Sequence, residues 1–69
     1  MVIKKLSKNR VQEFRKEKGV TQKDLAGSVE VTRQTIIAIE KGNYTPSVFL
    51  AIKIAVYFNL SVEELFIYD

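Results

Sequence analysis

The chain is 69 residues long, 46% hydrophobic and 28% charged, which excludes a disordered segment and leaves room for about one domain. Cysteine and histidine are both absent, so disulfides, thiolate chemistry, the commonest metal ligand and the commonest general base are all missing. The net charge of +3 is unevenly placed: residues 1–23 carry +6, residues 24–42 carry −1 and residues 43–69 carry −2. In chain order, the first expected element is a helix from about Ser7–Asn9 to Lys18, with Val11 and Phe14 on one face and Asn9–Gln12 resembling a capping box. Gly19 stops it, and Thr21 caps a second helix that points Leu25, Ala26 and Val29 inward. Thr32 caps a third, running through Ile36 and Ile39 to Gly42. Residues 43–46 (NYTP) form a loop, and Ser47 caps a fourth helix from Val48 to Phe58. Ser61 caps a short fifth with Glu63 and Glu64 near its start. Four Ser or Thr caps, each just before an apolar-periodic run, predict an all-α fold of five helices. The β-branched and aromatic ends, Val2–Ile3 and Phe66–Ile67–Tyr68, can pair as a small antiparallel ribbon.

Residues 21–42 (TQKDLAGSVEVTRQTIIAIEKG) are the most informative stretch. Counted from Gln22, a helix-turn-helix unit needs apolar residues at its fourth, eighth, tenth, fifteenth and eighteenth positions, where Leu25, Val29, Val31, Ile36 and Ile39 stand. It needs a very small residue at the fifth, where two helices cross closely, and Ala26 is there. The ninth position favours glycine for a left-handed backbone and holds Glu30 instead, a defect of about 1 kcal/mol. The unit thus spans about residues 22–41 of a single domain, 1–69.

These strings resemble the phage-repressor and Cro type of helix-turn-helix, also called the xenobiotic-response-element family. The resemblance runs from Asn9–Arg10–Val11 through Gly19–Val20–Thr21–Gln22, residues 32–36 (TRQTI), residues 39–42 (IEKG) and Pro46–Ser47 to residues 63–66 (EELF). In size the chain is most similar to the short single-domain repressors of the cytolysin-operon type, which have no small-molecule effector domain. Gly27, Glu30 and the outward Ile37 depart from the pattern. The resemblance implies a lambda-repressor-like domain whose third helix enters the major groove of duplex DNA. Base contacts then fall to Arg33 and Gln34, suited to guanine and adenine, and one turn on to Ile37 and Ala38, which can meet a thymine methyl group. Phosphate contacts are expected from Thr21 and Gln22 at a helix start and from Thr32. The family likeness adds Arg10, Lys41, Asn43 and Thr45, and it makes Arg15 and Glu40 a scaffold ion pair.

The fourth helix, residues 48–58 (VFLAIKIAVYF), is apolar almost all round, with Lys53 its only polar residue. Leu50, Ala51, Ile54, Ala55 and Phe58 make an inner face, which leaves Phe49, Ile52, Val56 and Tyr57 over. With Ile67 they are the expected interface of a two-fold homodimer reading a palindromic operator. A domain this small buries only about 60% of its unfolded surface, and a partner chain is the natural supplement.

The leading expectation is therefore a DNA-binding transcriptional repressor, with an antitoxin-like protein–protein interaction module as the alternative. An enzyme is not expected, because no nucleophile–base pair or metal set can be assembled without His or Cys. No cofactor or metal is implied. Neither a signal peptide nor a membrane span is read, and the lack of cysteine fits a cytoplasmic location.

Overall fold

The computed structural model describes residues 8–67. The elements are β1 (Lys8–Asn9), α1 (Val11–Lys18), α2 (Gln22–Ser28), α3 (Arg33–Lys41), α4 (Val48–Phe58), α5 (Val62–Leu65) and β2 (Phe66–Ile67). Among the described residues the fold is all-α, five helices with one ribbon of two two-residue strands.

Short-range capping sets the helix starts. The hydroxyls of Thr21, Thr32, Ser47 and Ser61 accept from the backbone N–H of Asp24, Thr35, Leu50 and Glu64 respectively. Each satisfies one of the donors that the first helical turn leaves without a partner. Two are full capping boxes, in which Asp24 and Glu64 also accept from the N–H of Thr21 and Ser61. The stops are left-handed residues: Gly19 at φ 77°, Gly42 at φ 78° and Asn59 at φ 58°. Glu30 takes φ 63°, so the turn between α2 and α3 has its left-handed bend without a glycine.

One local expectation is corrected. The first helix begins at Val11, with Arg10 in the capping position and no side-chain cap, so Asn9 and Gln12 form no box. The Asn9 carboxamide bridges two elements instead. Its Oδ1 accepts from Val11 N at 3.1 Å, and its Nδ2 donates to the Ile39 carbonyl at 2.8 Å. That carbonyl lies in the last turn of α3 and also accepts the capping Gly42 N–H at 2.9 Å. Asn9 thus fastens the start of α1 to the end of α3.

The ribbon pairs Lys8 with Ile67 and Asn9 with Phe66, antiparallel, and Arg10 N–H extends it to the Leu65 carbonyl at 2.7 Å. Val2–Ile3 and Tyr68, also expected in a ribbon, lie outside the described residues.

The core takes Val11 from α1, Leu25 and Ala26 from α2, Ile36 and Ile39 from α3, Leu50 and Ile54 from α4, and Leu65 from α5. Ala26 is 3% exposed beside α3, and its lack of bulk allows the close helix crossing. Phe14 and Phe58 close one side, their ring centroids 6.3 Å apart. Burial on this scale is the main stabilising term, about 1.5–3 kcal/mol for each large aliphatic side chain.

Candidate nucleic-acid interface

The third helix is clamped on its inner side and open on its outer side. Ile36 and Ile39 are wholly buried, three residues apart on one face. Arg33 and Gln34, in the first turn, are exposed. Ile37 and Ala38, one turn on, are half-buried. Sequence reading overlooked Thr35, whose hydroxyl lies 3.1 Å from that of the capping Thr32. The leading edge therefore presents one cation, one carboxamide and two small apolar surfaces, carried on a helix fixed to the core.

The far end of α3 is anchored by a buried ion pair. Arg15 Nε donates to Glu40 Oε2 at 2.7 Å and its Nη2 to Oε1 at 3.3 Å. Arg15 Nη1 also donates to the Val20 carbonyl at 2.9 Å, just after α1. The Glu40 side chain is only 2% exposed and that of Arg15 11%. Charges this deep must be paired, and the fork geometry of arginine pairs a carboxylate through two bonds. A third partner was not foreseen. Gln22 Nε2 donates to Glu40 Oε1 at 3.0 Å, bringing the start of α2 into the same network. An 18-residue separation left no local signal for it.

The expected phosphate contacts occupy several settings. Thr21, Thr32, Lys41, Asn43 and Thr45 are exposed, while Gln22 is half-buried. Thr21 and Thr32 use their hydroxyls as helix caps. Arg10, in the capping position before α1, is engaged with that helix: it donates to both Glu13 carboxylate oxygens at 2.9 and 3.3 Å and lies 4.7 Å from the Phe14 ring centroid. The hydrogen bond with Glu13 holds Arg10 above its ordinary pKa and Glu13 below. Tyr44 is 45% exposed in the loop after α3.

A second surface lies on α4. Val48, Phe49, Ile52 and Val56 are all exposed, three of them by more than 70%. Val48 was not singled out from the sequence, although its spacing of four from Ile52 and eight from Val56 marks the same stripe. Tyr57 is half-buried against the core, edge-on to Phe58 at 5.0 Å and beneath Lys18 at 5.3 Å. The side chain of Ile67 lies outside the description. Lys53, the lone charge on α4, donates to Glu30 at 2.7 Å, and this bond holds the Glu30 carboxyl below the usual range.

Two helices crossing at a small residue, joined by a left-handed turn, with a groove-sized helix open on its outer face, define a helix-turn-helix DNA-binding fold. The Cro/C1-type family described as helix-turn-helix matches residues 11–65, and the chain belongs to it. An uncharacterized HTH-type transcriptional regulator of Methanocaldococcus jannaschii is 52% identical over 62 residues, covering 90% of this chain and 94% of that protein. The HTH-type regulator YgzD of Bacillus subtilis is 49% identical over 59 residues, covering 86% and 89%. Among solved structures, the restriction-modification controller protein C.AhdI of Aeromonas hydrophila superposes with a TM-score of 0.78 at 29% identity, over 90% of this chain and 92% of that one. The family is one of DNA-binding transcriptional regulators. No helix among the described residues is long and apolar enough to cross a membrane.

Proposed function

We propose that this chain acts as a single domain that binds duplex DNA as a homodimer and represses transcription by occupying a palindromic operator. The observation that carries the reading is the exposed first turn of α3, Arg33 and Gln34, on a helix whose opposite face is wholly buried. Arg33, Gln34, Ile37 and Ala38 read base edges in the major groove, arginine toward guanine and glutamine toward adenine. Arg10, Thr21, Gln22, Thr32, Lys41, Asn43 and Thr45 meet the phosphates and set the register. Arg10 reaches a phosphate by exchanging its exposed contact with Glu13, a small loss for a surface pair.

The exposed stripe of α4 supports the homodimer, with Phe49, Ile52, Val56, Tyr57 and Ile67 at its interface. To read two half-sites one turn of DNA apart, a dimer joined there has to hold its two recognition helices about 34 Å apart, and its operator is then two-fold symmetric. Repression by occupancy asks for nothing beyond binding. The test is selection of bound duplexes from random DNA. The expected result is a pair of inverted half-sites about 10 base pairs apart. Recovery of no enriched sequence would defeat the base-reading assignment. A single asymmetric site would defeat the dimer and favour a different protein as the occupant of α4.

A further inference from the structure

The network around Glu40 contains more than charge neutrality requires. Arg15 already supplies two donors to the Glu40 carboxylate. The added bond from Gln22 Nε2 to Glu40 Oε1, 3.0 Å long, is not needed to balance the buried ion. Its effect falls on Gln22, which opens α2 beside the exposed Thr21. A glutamine side chain turns about three bonds and in isolation samples many rotamers. Here its amide nitrogen is held against a carboxylate that is itself fixed by Arg15 and only 2% exposed. A carboxylate can only accept, so the nitrogen end of the amide must face it. One N–H is then engaged, and the amide nitrogen makes no second bond among the described residues, so its other N–H can serve an outside acceptor. A phosphate oxygen is an acceptor of that kind.

We propose that Glu40 is a positioning residue for DNA binding: its buried carboxylate sets the Gln22 carboxamide so that the side chain meets the phosphate backbone already ordered. The inference rests on the DNA-binding reading above. Glu40 touches no DNA in this scheme and acts through Gln22. It lowers the ordering cost of the contact, which a free surface glutamine would meet in full. The recognition helix, through its last turn, thereby helps to aim a contact made by the helix before it.

The test separates this role from a merely structural one by using the joint replacement Arg15→Met with Glu40→Leu. Exchanging both partners for apolar residues avoids stranding a buried charge and is often neutral to stability. Two readouts are taken, each in the presence and absence of the replacement. In the free protein, the nitrogen-15 NMR signal of the Gln22 side-chain amide is expected to be shifted and slow to exchange, and to become like that of a free amide once Glu40 is gone. With a duplex recovered by selection, Gln22→Ala is expected to weaken binding about tenfold in the unsubstituted protein, in the range of one hydrogen bond to a charged group, and less than threefold in the replaced background.

An equal cost of Gln22→Ala in both backgrounds overturns the proposal, as does an amide signal indifferent to Glu40. If the unsubstituted protein and Gln22→Ala bind the duplex equally, this inference fails while DNA binding stands. If the unsubstituted protein binds no duplex, both fail. Should the joint replacement not fold, Glu40→Gln serves instead. Its amide oxygen keeps the shorter bond from Arg15 Nε, at 2.7 Å in the unsubstituted protein. Its NH2 takes the place of Oε1, giving up the 3.3 Å bond from Arg15 Nη2 and facing Gln22, which must turn its amide over. The cost of Gln22→Ala is then expected to change by at least threefold, and an unchanged cost overturns the proposal.

Discussion

Arg33 and Lys41 sit at opposite ends of α3, both exposed, and their chemistry separates them. A guanidinium can form two parallel bonds to one guanine, whereas an ammonium is a point charge that any phosphate satisfies. Arg33→Ala is therefore expected to cost about 1–3 kcal/mol and relax preference at one base pair of the operator. Lys41→Ala is expected to weaken all sequences alike and to lower the slope of affinity against salt by about one. Binding titrations on matched and mismatched duplexes at several salt concentrations distinguish the two. Equal loss on every sequence from Arg33→Ala would remove it from the base-reading set. Gly27 offers a prediction on stability instead. It lies inside α2, exposed, with nothing within 4 Å of where a β-carbon would stand. Gly27→Ala removes the entropy penalty of a helical glycine without a clash, and should add about 0.5–1 kcal/mol. In a domain of this size, a thermal melt should show a rise of roughly 4–8 °C per kcal/mol.

At the scale of elements, the capping boxes link helix stability to pH. Asp24 and Glu64 are held below the usual carboxylate range, chiefly because each accepts a backbone N–H at the start of its helix, from Thr21 at 3.1 Å and Ser61 at 2.8 Å. A carboxylate whose folded pKa is depressed contributes stability above its unfolded value, about 4. That contribution is lost as the pH falls through the folded value. Denaturant midpoints should therefore hold from neutrality down to about pH 5 and decline below pH 4. Asp24→Asn should flatten part of that decline while lowering stability at neutral pH; a decline of unchanged steepness would remove Asp24 from its cause. The Thr and Ser caps were legible from the residues because each spans three positions and a fixed helical geometry, although the return bonds to Asp24 and Glu64 were not read. The crossing at Ala26 and the inner face of α4 were legible for a similar reason, since both follow from a period. Asn9 was misread because the carbonyl it serves lies 30 residues away. The Gln22 bond to Glu40 was hidden for the same reason. Burial of Tyr57 against Phe58 was equally beyond a helical wheel, which cannot say how far a large ring bends back toward the core.

For the molecule as a whole, stability and function meet at the uncovered side of α4. Phe49 is 72% exposed and Val56 71%, and Lys53 between them is tied to Glu30, so little charge opposes a second apolar face. Phe49→Gln should leave the monomer folded, because the ring is scarcely packed at present. It should shift sedimentation at micromolar concentration toward the 7.9 kDa species and weaken binding to a two-half-site duplex far more than to an isolated half-site. An unaltered sedimentation profile would place self-association elsewhere. The Cro/C1-type fold itself was readable because its requirements are local and numerous, whereas the proposed assembly rests on a surface that this chain by itself leaves uncovered.

The outward edge of α3 carries Arg33 and Gln34 in the open, while Ile36 and Ile39 on the same helix are fully enclosed. On the proposed reading, in which Arg33 and Gln34 read the bases, selection acting on target choice can exchange the outer pair with little consequence for folding, since surface changes of this kind usually move stability by less than about 0.5 kcal/mol. The address that such a regulator answers to can drift from one lineage to the next while its chassis stays unaltered.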